Sequence, residues 1–395
     1  MKNLVKFTLA GMLLGSPALS GGWEASRLDT SMMYNDGGYA EIGTSSISYS
    51  INGTTQAAVE HKMASDQTRT ALGFKQQFGD FDVGLSRYMS GAIQLDGQAT
   101  GATLEVPGCD PTTLVAAATV AQIGYCSVVP SADVEATSLA LMARYRINDN
   151  MSVLGGLNRY SVSDANVTTL SGYYVVSGDE MAPVAGAAYE NKEIALRVEL
   201  LMQVETDMAL TAASSVAAAV PTTAVSGATM VIPQTITLNF QSGIAEDTLL
   251  FGSVHQADWD TAQIAIPENT AGINPAGGVL TVDDVGSDFS SRTAYSIGVG
   301  RKINETLSVL GSYSTEDGGG ATSNDPFTLT DGSQTIGVGA RYTQDNMTIT
   351  GGYSYTKVGD VTVTHLAAPG VPSGLTATYA DNKVTGIGIK IGFSF

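Results

Sequence analysis

Two cysteines and three histidines in 395 residues leave little material for a metal centre or a nucleophilic site. A structural zinc needs four nitrogen or sulfur ligands, and Cys109 and Cys126 supply two. A hydrolase needs a serine activated by a histidine that a third polar group orients. His61 and His365 fall in long connections, His255 sits on a strand between Val254 and Gln256, and no short serine motif accompanies it. A phosphate-cradling glycine loop of the P-loop kind is missing as well. The chain therefore reads as non-enzymatic, with no cofactor and no metal. Charge is also scarce, at 14% of residues, which is too little for a disordered chain. The 38 acidic residues outnumber the 19 basic ones, so nucleic acid and anionic lipid surfaces are poor partners. After the N-terminal leader, no stretch offers the roughly 20 uninterrupted apolar residues of a membrane helix. What the chain does have is 43% hydrophobic residues and 45 glycines, over a length able to enclose a large volume.

Its two ends point to export and to a membrane. Residues 1–20 carry Lys2 and Lys6, an apolar core from Leu4 to Leu14, Pro17, and Ala18-Leu19-Ser20 as a small-x-small cleavage site, the make-up of a secretory signal peptide. In the oxidising compartment this implies, Cys109 and Cys126 are expected to form one disulfide pinning a surface loop. The last segment, Val384 to Phe395, reads VTGIGIKIGFSF. Ile387, Ile389, Ile391, Phe393 and Phe395 share one face; Gly386, Gly388, Lys390, Gly392 and Ser394 share the other. A greasy-faced strand closing on an aromatic suits the seam of an outer-membrane barrel, the strand-built way to satisfy every backbone group in lipid.

Between the ends, alternating segments flank six short polar turns: Phe78-Gly79-Asp80, Asn148-Asp149-Asn150, Glu190-Asn191-Lys192, Ala245-Glu246-Asp247, Ile303-Asn304-Glu305 and Gln344-Asp345-Asn346. Long irregular connections at about 52–69, 90–137, 161–180, 204–233, 259–291, 315–333 and 358–383 separate them, the asymmetry of a barrel with short periplasmic turns and long outer loops. Two strands per turn, a first strand at Ile42–Ile51 and the closing strand predict an all-β, 14-stranded antiparallel transmembrane β-barrel, spanning residues 42–395. A barrel of this size holds a lumen. Residues 21–41 have no clean period, and Met32, Met33, Tyr34 and Tyr39 suit an interior better than a solvated tail, so this stretch is expected to plug the lumen as a hatch.

In this pattern the chain resembles the FadL family of outer-membrane long-chain fatty-acid transporters, which also includes channels for aromatic hydrocarbons. The resemblance covers essentially the whole mature chain. It rests on the strand count, on the entry into the first strand at Tyr39-Ala40-Glu41-Ile42-Gly43, on Gly186 to Arg197 (GAAYENKEIALR), and on Pro233-Gln234-Thr235 before a hairpin reaching Trp259. Many members carry Asn-Pro-Ala in the hatch; residues 21–41 lack it, and Asn274-Pro275-Ala276 lies in a long loop. The resemblance implies a monomer in the outer membrane of a Gram-negative cell, surrounded by outer-membrane lipid. It implies passive uptake of a hydrophobic small molecule: capture by outer loops, transfer to a site inside the barrel, and sideways exit beside a kinked third strand after the hatch shifts. Long-chain fatty acids are the expected ligand; a porin for small polar solutes and an aromatic-hydrocarbon channel are the alternatives.

Candidate residues follow. Leu114, Val115, Val120 and Ile123, in the apolar stretch Thr112 to Ile123, are a plausible ligand collector, as is Met208 to Ala219; equally, these stretches could pack on each other and cover the mouth. Gly84, inside the third strand Phe81 to Met89, is the candidate kink at the lateral exit. Arg144, Arg146, Arg197, Arg341 and Lys390 alternate onto the lumen face. They would either meet a fatty carboxylate or pair with Glu199 and the hatch acids Asp29, Asp36 and Glu41 to hold the plug.

Overall fold

The computed structural model describes residues 22–55, 60–96, 131–168, 173–215, 222–273, 279–282, 285–323, 325, 327–364 and 376–395. Fourteen antiparallel strands close into a barrel: β1 Tyr39–Ser50, β2 Gln67–Phe78, β3 Phe81–Asp96, β4 Ser131–Arg146, β5 Met151–Thr168, β6 Tyr173–Asn191, β7 Leu196–Gln203, β8 Thr235–Ala245, β9 Thr248–Ala257, β10 Arg292–Lys302, β11 Leu307–Glu316, β12 Ser333–Gln344, β13 Met347–Val358 and β14 Lys383–Ser394. β1 pairs with β14 along its whole length, from Tyr39↔Ser394 to Ser50↔Lys383, and this seam completes the ring.

All six short turns join hairpins where the sequence places them, and Asp247 and Asp345 take the left-handed backbone that tight turns demand. The strands run further than the sequence suggests. Residues 161–180 read as an irregular connection, yet β5 continues to Thr168 and β6 starts at Tyr173, so most of that stretch is a hairpin standing above the wall. β1 begins at Tyr39, which moves Tyr39 and Glu41 out of the plug segment and into the wall. Polar β-formers such as Thr and Ser pair as well as apolar ones once a neighbouring strand offers its ladder, and composition alone does not reveal that neighbour.

Alternation sorts each strand into a lipid face and a lumen face. Leu85, Leu141, Leu157, Leu200, Ile297, Val338 and Ile389 are among the large apolar side chains exposed on the outside. Phe74, Phe78, Phe81, Tyr145, Tyr189 and Phe395 gather toward the short turns; Tyr295, Tyr313, Tyr353 and Tyr355 lie toward the long loops. An apolar band edged by aromatics is the surface a bilayer requires. No described helix is long and apolar enough to cross a membrane. The crossing is made by strands.

Above the wall the long loops form their own small sheets. Thr206–Ala209, Thr229–Ile232, Ile264–Ile266 and Val285–Gly286 make one; Asn52–Thr55, Glu60–Lys62, Thr322–Ser323, Val361–Thr364 and Thr376–Tyr379 make another. Their apolar faces share one buried core, including Ile51, Met63, Met230, Ile232, Phe289, Phe327, Leu329, Val363 and Tyr379, that covers the mouth. Asp325 is buried in this cover, accepting from the Phe327 amide at 2.9 Å and the Thr328 hydroxyl at 2.8 Å. Burial raises its pKa from 3.8 to about 6, against the opposing pull of those donors.

Two expectations follow. Val338→Arg, at the middle of the outer face of β12, should cost about 2–4 kcal/mol in urea unfolding from vesicles, while the lumen-side change Ser312→Arg should cost less. Because the folded loop binds the Asp325 proton more tightly than the unfolded chain does, the stabilisation is full below the ordinary aspartate value and fades as pH rises through about 6. Amide exchange at 327–330, corrected for its intrinsic rate, should therefore be slower at about pH 5 than at about pH 7.5. Asp325→Asn should abolish the difference.

Candidate functional site

The site is built where the wall ladder is broken. β2 and β3 pair from the turn at Phe78↔Phe81 up to Leu72↔Arg87, and there the pairing stops. β2 goes on pairing with β1 as far as Gln67, and β3 goes on pairing with β4 as far as Asp96. The facing edges of β2 and β3 meet again only higher up, through the Ala64–Leu95 bridge and a 3.4 Å bond from Ser65 to Gln94. A bulge marks the gap: Met89 faces Thr137 and Gly91 faces Ala136, leaving Ser90 as the extra residue. The kink thus lies at Ser90, and not at Gly84, whose partners Lys75 and Met142 are in regular register.

The chain's own N-terminal segment satisfies the open edge. Ala25 donates to the Ser90 carbonyl and Ala92 donates to the Trp23 carbonyl, both at 2.8 Å, so Trp23–Ala25 adds a short strand to β3 from the lumen side. On the β2 side, buried Arg69 donates to the Ala25 carbonyl, to Gln67 at 2.8 Å and to the Tyr49 hydroxyl at 2.9 Å. The close approach needs Gly91, since a Cβ there would stand 2.1 Å from the Trp23 ring.

From Ser26 to Gly38 the segment descends through the lumen, where it meets several of the residues the sequence singles out. Met32 and Met33 are buried with Met142, Leu154, Val184 and Leu201. Gly84 gives them room: a Cβ there would meet the Met33 sulfur at 2.4 Å. The Tyr34 ring lies between the guanidinium groups of Arg144 and Arg197, each 4.1 Å from its centre, and its hydroxyl donates to Glu199. Glu199 also accepts from Thr30 at 2.7 Å. Arg144 pairs with Glu190 and donates to the Met33 carbonyl at 3.1 Å; Arg146 pairs with Asp82 at 2.5 Å. Lys75 pairs with Asp82 and donates to the Asn35 and Gly37 carbonyls at 2.6 and 3.0 Å. Lys390 lies 3.3 Å from Asp29 and 3.2 Å from Glu41. Burial pushes the Asp29 carboxyl up, but the Lys390 ammonium and the Ser31 donors outweigh it and hold it below the usual range. Tyr39 is buried in β1, Arg341 interacts with Tyr39 and Glu41, and Asp36 is exposed at the foot of the segment. Leu114, Val115, Val120, Ile123, Cys109 and Cys126 lie outside the described residues.

Beside the sealed gap is a cavity of about 550 Å³, counting its opening to solvent. Trp23, Trp259, Tyr88, Tyr160, Leu28, Val184 and Leu201 give it aromatic and aliphatic walls; Glu24, Arg27, Gln203, Thr237 and His255 supply the polar groups. Trp23 stands edge-on to both Tyr160 and Trp259, with ring centres 5.9 and 5.5 Å apart. Arg27 is bound to Glu24 at 2.9 Å. Burial raises the Glu24 carboxyl, and His255 and Arg27 more than reverse this, so it remains ionised well below the usual range. His255 contacts the Thr237 hydroxyl at 2.7 Å through Nδ1. None of the ligand residues expected from the sequence lines this cavity. The available signal was the pair of tryptophans, the chain's whole complement, which the lipid-facing belts do not use.

No family model and no curated protein matches the sequence. Solved structures do match its shape. A FadL homologue from Pseudomonas aeruginosa superposes with a TM-score of 0.64 over 92% of both chains at 12% identity. The chain has the FadL fold. The toluene transporter TodX of P. putida matches over 97% of this chain and 93% of its own, with a TM-score of 0.60 and 13% identity. The toluene transporter TbuX of Ralstonia pickettii matches over 97% and 99%, with a TM-score of 0.59 and 12% identity. In this FadL fold Gly91 lets Trp23 reach the wall gap, and Gly84, lower on β3, seats Met33. Gly84→Leu should displace Met33 and loosen the segment, raising ion conductance in planar bilayers several-fold while the heat-modifiable gel shift of the folded barrel is kept.

Proposed function

We propose that this protein is a passive outer-membrane channel for hydrophobic small molecules, in which residues 22–38 act as the hatch. The observation that carries the reading is the broken β2–β3 ladder closed from inside by Trp23–Ala25, directly beside a cavity with aromatic walls. An unpaired edge facing lipid is costly, and a wall built to stay closed would continue the ladder. A removable strand makes the same place a door. A molecule in the cavity that moves Trp23 breaks two backbone bonds and opens a path sideways into the bilayer, with no nucleotide involved.

The geometry favours a small aromatic or aliphatic ligand over a long-chain fatty acid. Arg144, Arg146 and Lys390 are engaged with Glu190, Asp82, Asp29 and Glu41, and Arg197 stacks on Tyr34, so these cations already have partners within the wall or on the plug. The cavity's own arginine, Arg27, is bound to Glu24. Two of the matching proteins, TodX and TbuX, are toluene transporters, which agrees with the aromatic walls seen here.

Uptake of radiolabelled toluene and oleate by an outer-membrane transport mutant expressing this chain tests the reading. Toluene uptake well above the empty-vector level, and its alteration when residues 24–38 are deleted, is the expected result. Failure of both compounds to enter, with the barrel shown to be inserted, would instead favour a porin for polar solutes.

A further inference from the structure

Most polar atoms around the cavity are already engaged. The Tyr160 hydroxyl donates to Gln203 Oε1 at 2.8 Å, Gln203 Nε2 donates to the Pro233 carbonyl at 3.3 Å, and the Tyr88 hydroxyl accepts from Asn158 at 2.9 Å. Two are not. Trp23 Nε1 and His255 Nε2 are buried without a hydrogen-bond partner, on side chains 2% and 4% exposed that both line the cavity. A buried polar group left unpaired costs about 1–3 kcal/mol, so two at one cavity call for an occupant. His255 Nε2 stands 3.4 Å from Glu24 Oε2, misaligned for a bond between them, while Nδ1 faces the Thr237 hydroxyl. With Thr237 donating to Nδ1, Nε2 carries a hydrogen. The indole N–H and this N–H then form a pair of donors, and the Glu24 carboxylate beside them is an acceptor.

We propose that the ligand of this cavity is a neutral aromatic bearing a hydroxyl group, a phenol or benzylic alcohol, whose oxygen accepts from Trp23 or His255 and whose hydrogen is donated to Glu24. This deepens the uptake reading and rests on it. A plain hydrocarbon leaves both donors unpaired. An ionised carboxylate has no hydrogen to give and is repelled by Glu24, whose partner Arg27 is already taken. A hydroxyl satisfies donor and acceptor at once, and its ring meets the apolar part of the lining, Leu28, Val184 and Leu201 beside the aromatic side chains.

The test uses the chain's two tryptophans, both on the cavity wall, as reporters. The full-length barrel in lipid nanodiscs is titrated with p-cresol, toluene and oleate, with indole emission excited at its red edge, where cresol does not absorb. p-Cresol, which differs from toluene by one hydroxyl, should bind about tenfold more tightly, the value of one or two added hydrogen bonds. Oleate should leave the emission unchanged. Trp23→Phe, read through Trp259, should shrink the ratio of p-cresol to toluene affinity, since one of the two donors is gone. Glu24→Gln should shrink the same ratio, which covers the case in which the Trp23 variant does not fold. Equal or tighter binding of toluene, or quenching by oleate at the same concentrations, would overturn the hydroxyl assignment and leave hydrophobic uptake standing. Quenching by none of the three would overturn both.

Discussion

A backbone that faces lipid must have its amides and carbonyls paired, and this protein leaves one stretch of its wall to be paired by a piece of chain that is not part of the wall. Between Arg87 and Gln94 the edge of β3 finds no partner on β2, and Trp23–Ala25 reach across the lumen to supply one. The position of the plug, the need for glycine at 91, the burial of Arg69 and the aromatic cavity next to Trp23 all follow from that substitution.

The same requirement explains why so much of the lumen's charge is spent on holding one short segment. Residues 22–38 form one four-residue 3₁₀ turn, Ser31–Tyr34, and one bridge, too little regular structure to keep their own backbone satisfied. Lys75, Arg69 and Arg144 therefore donate to segment carbonyls, while Glu199 and Lys390 hold its side chains. Such contacts are directional and numerous, yet each is modest once exchange with water is counted, so the segment is fixed in place without being welded. Contacts of that kind suit the movable hatch proposed above.

The mouth follows a different logic. Its cover is held by a shared apolar core drawn from several loops, with Asp325 as a buried acid inside it. The same core takes in Trp23, so the loop cover and the top of the plug pack in one apolar cluster.

Strand number and turn placement were legible in the sequence, because period-2 alternation and tight-turn residues are local signals that every neighbouring strand must respect. The arginines were legible as lumen-facing for the same reason. Which groups they would meet was not: Arg144, Arg197 and Tyr34 come together from three places in the chain, and both readings of the arginines were open until the fold joined them. Gly84 looked like a kink because glycine weakens strands; the tertiary structure makes it a seat for Met33 and puts the break at Ser90-Gly91, just beyond the Met89 at which the sequence ended the strand. The cavity was invisible, since Trp23, Tyr88, Tyr160, His255 and Trp259 come from the plug, from three strands and from a loop. Alternation along a strand fixes which way a side chain faces, and only the closing of the barrel decides what it faces.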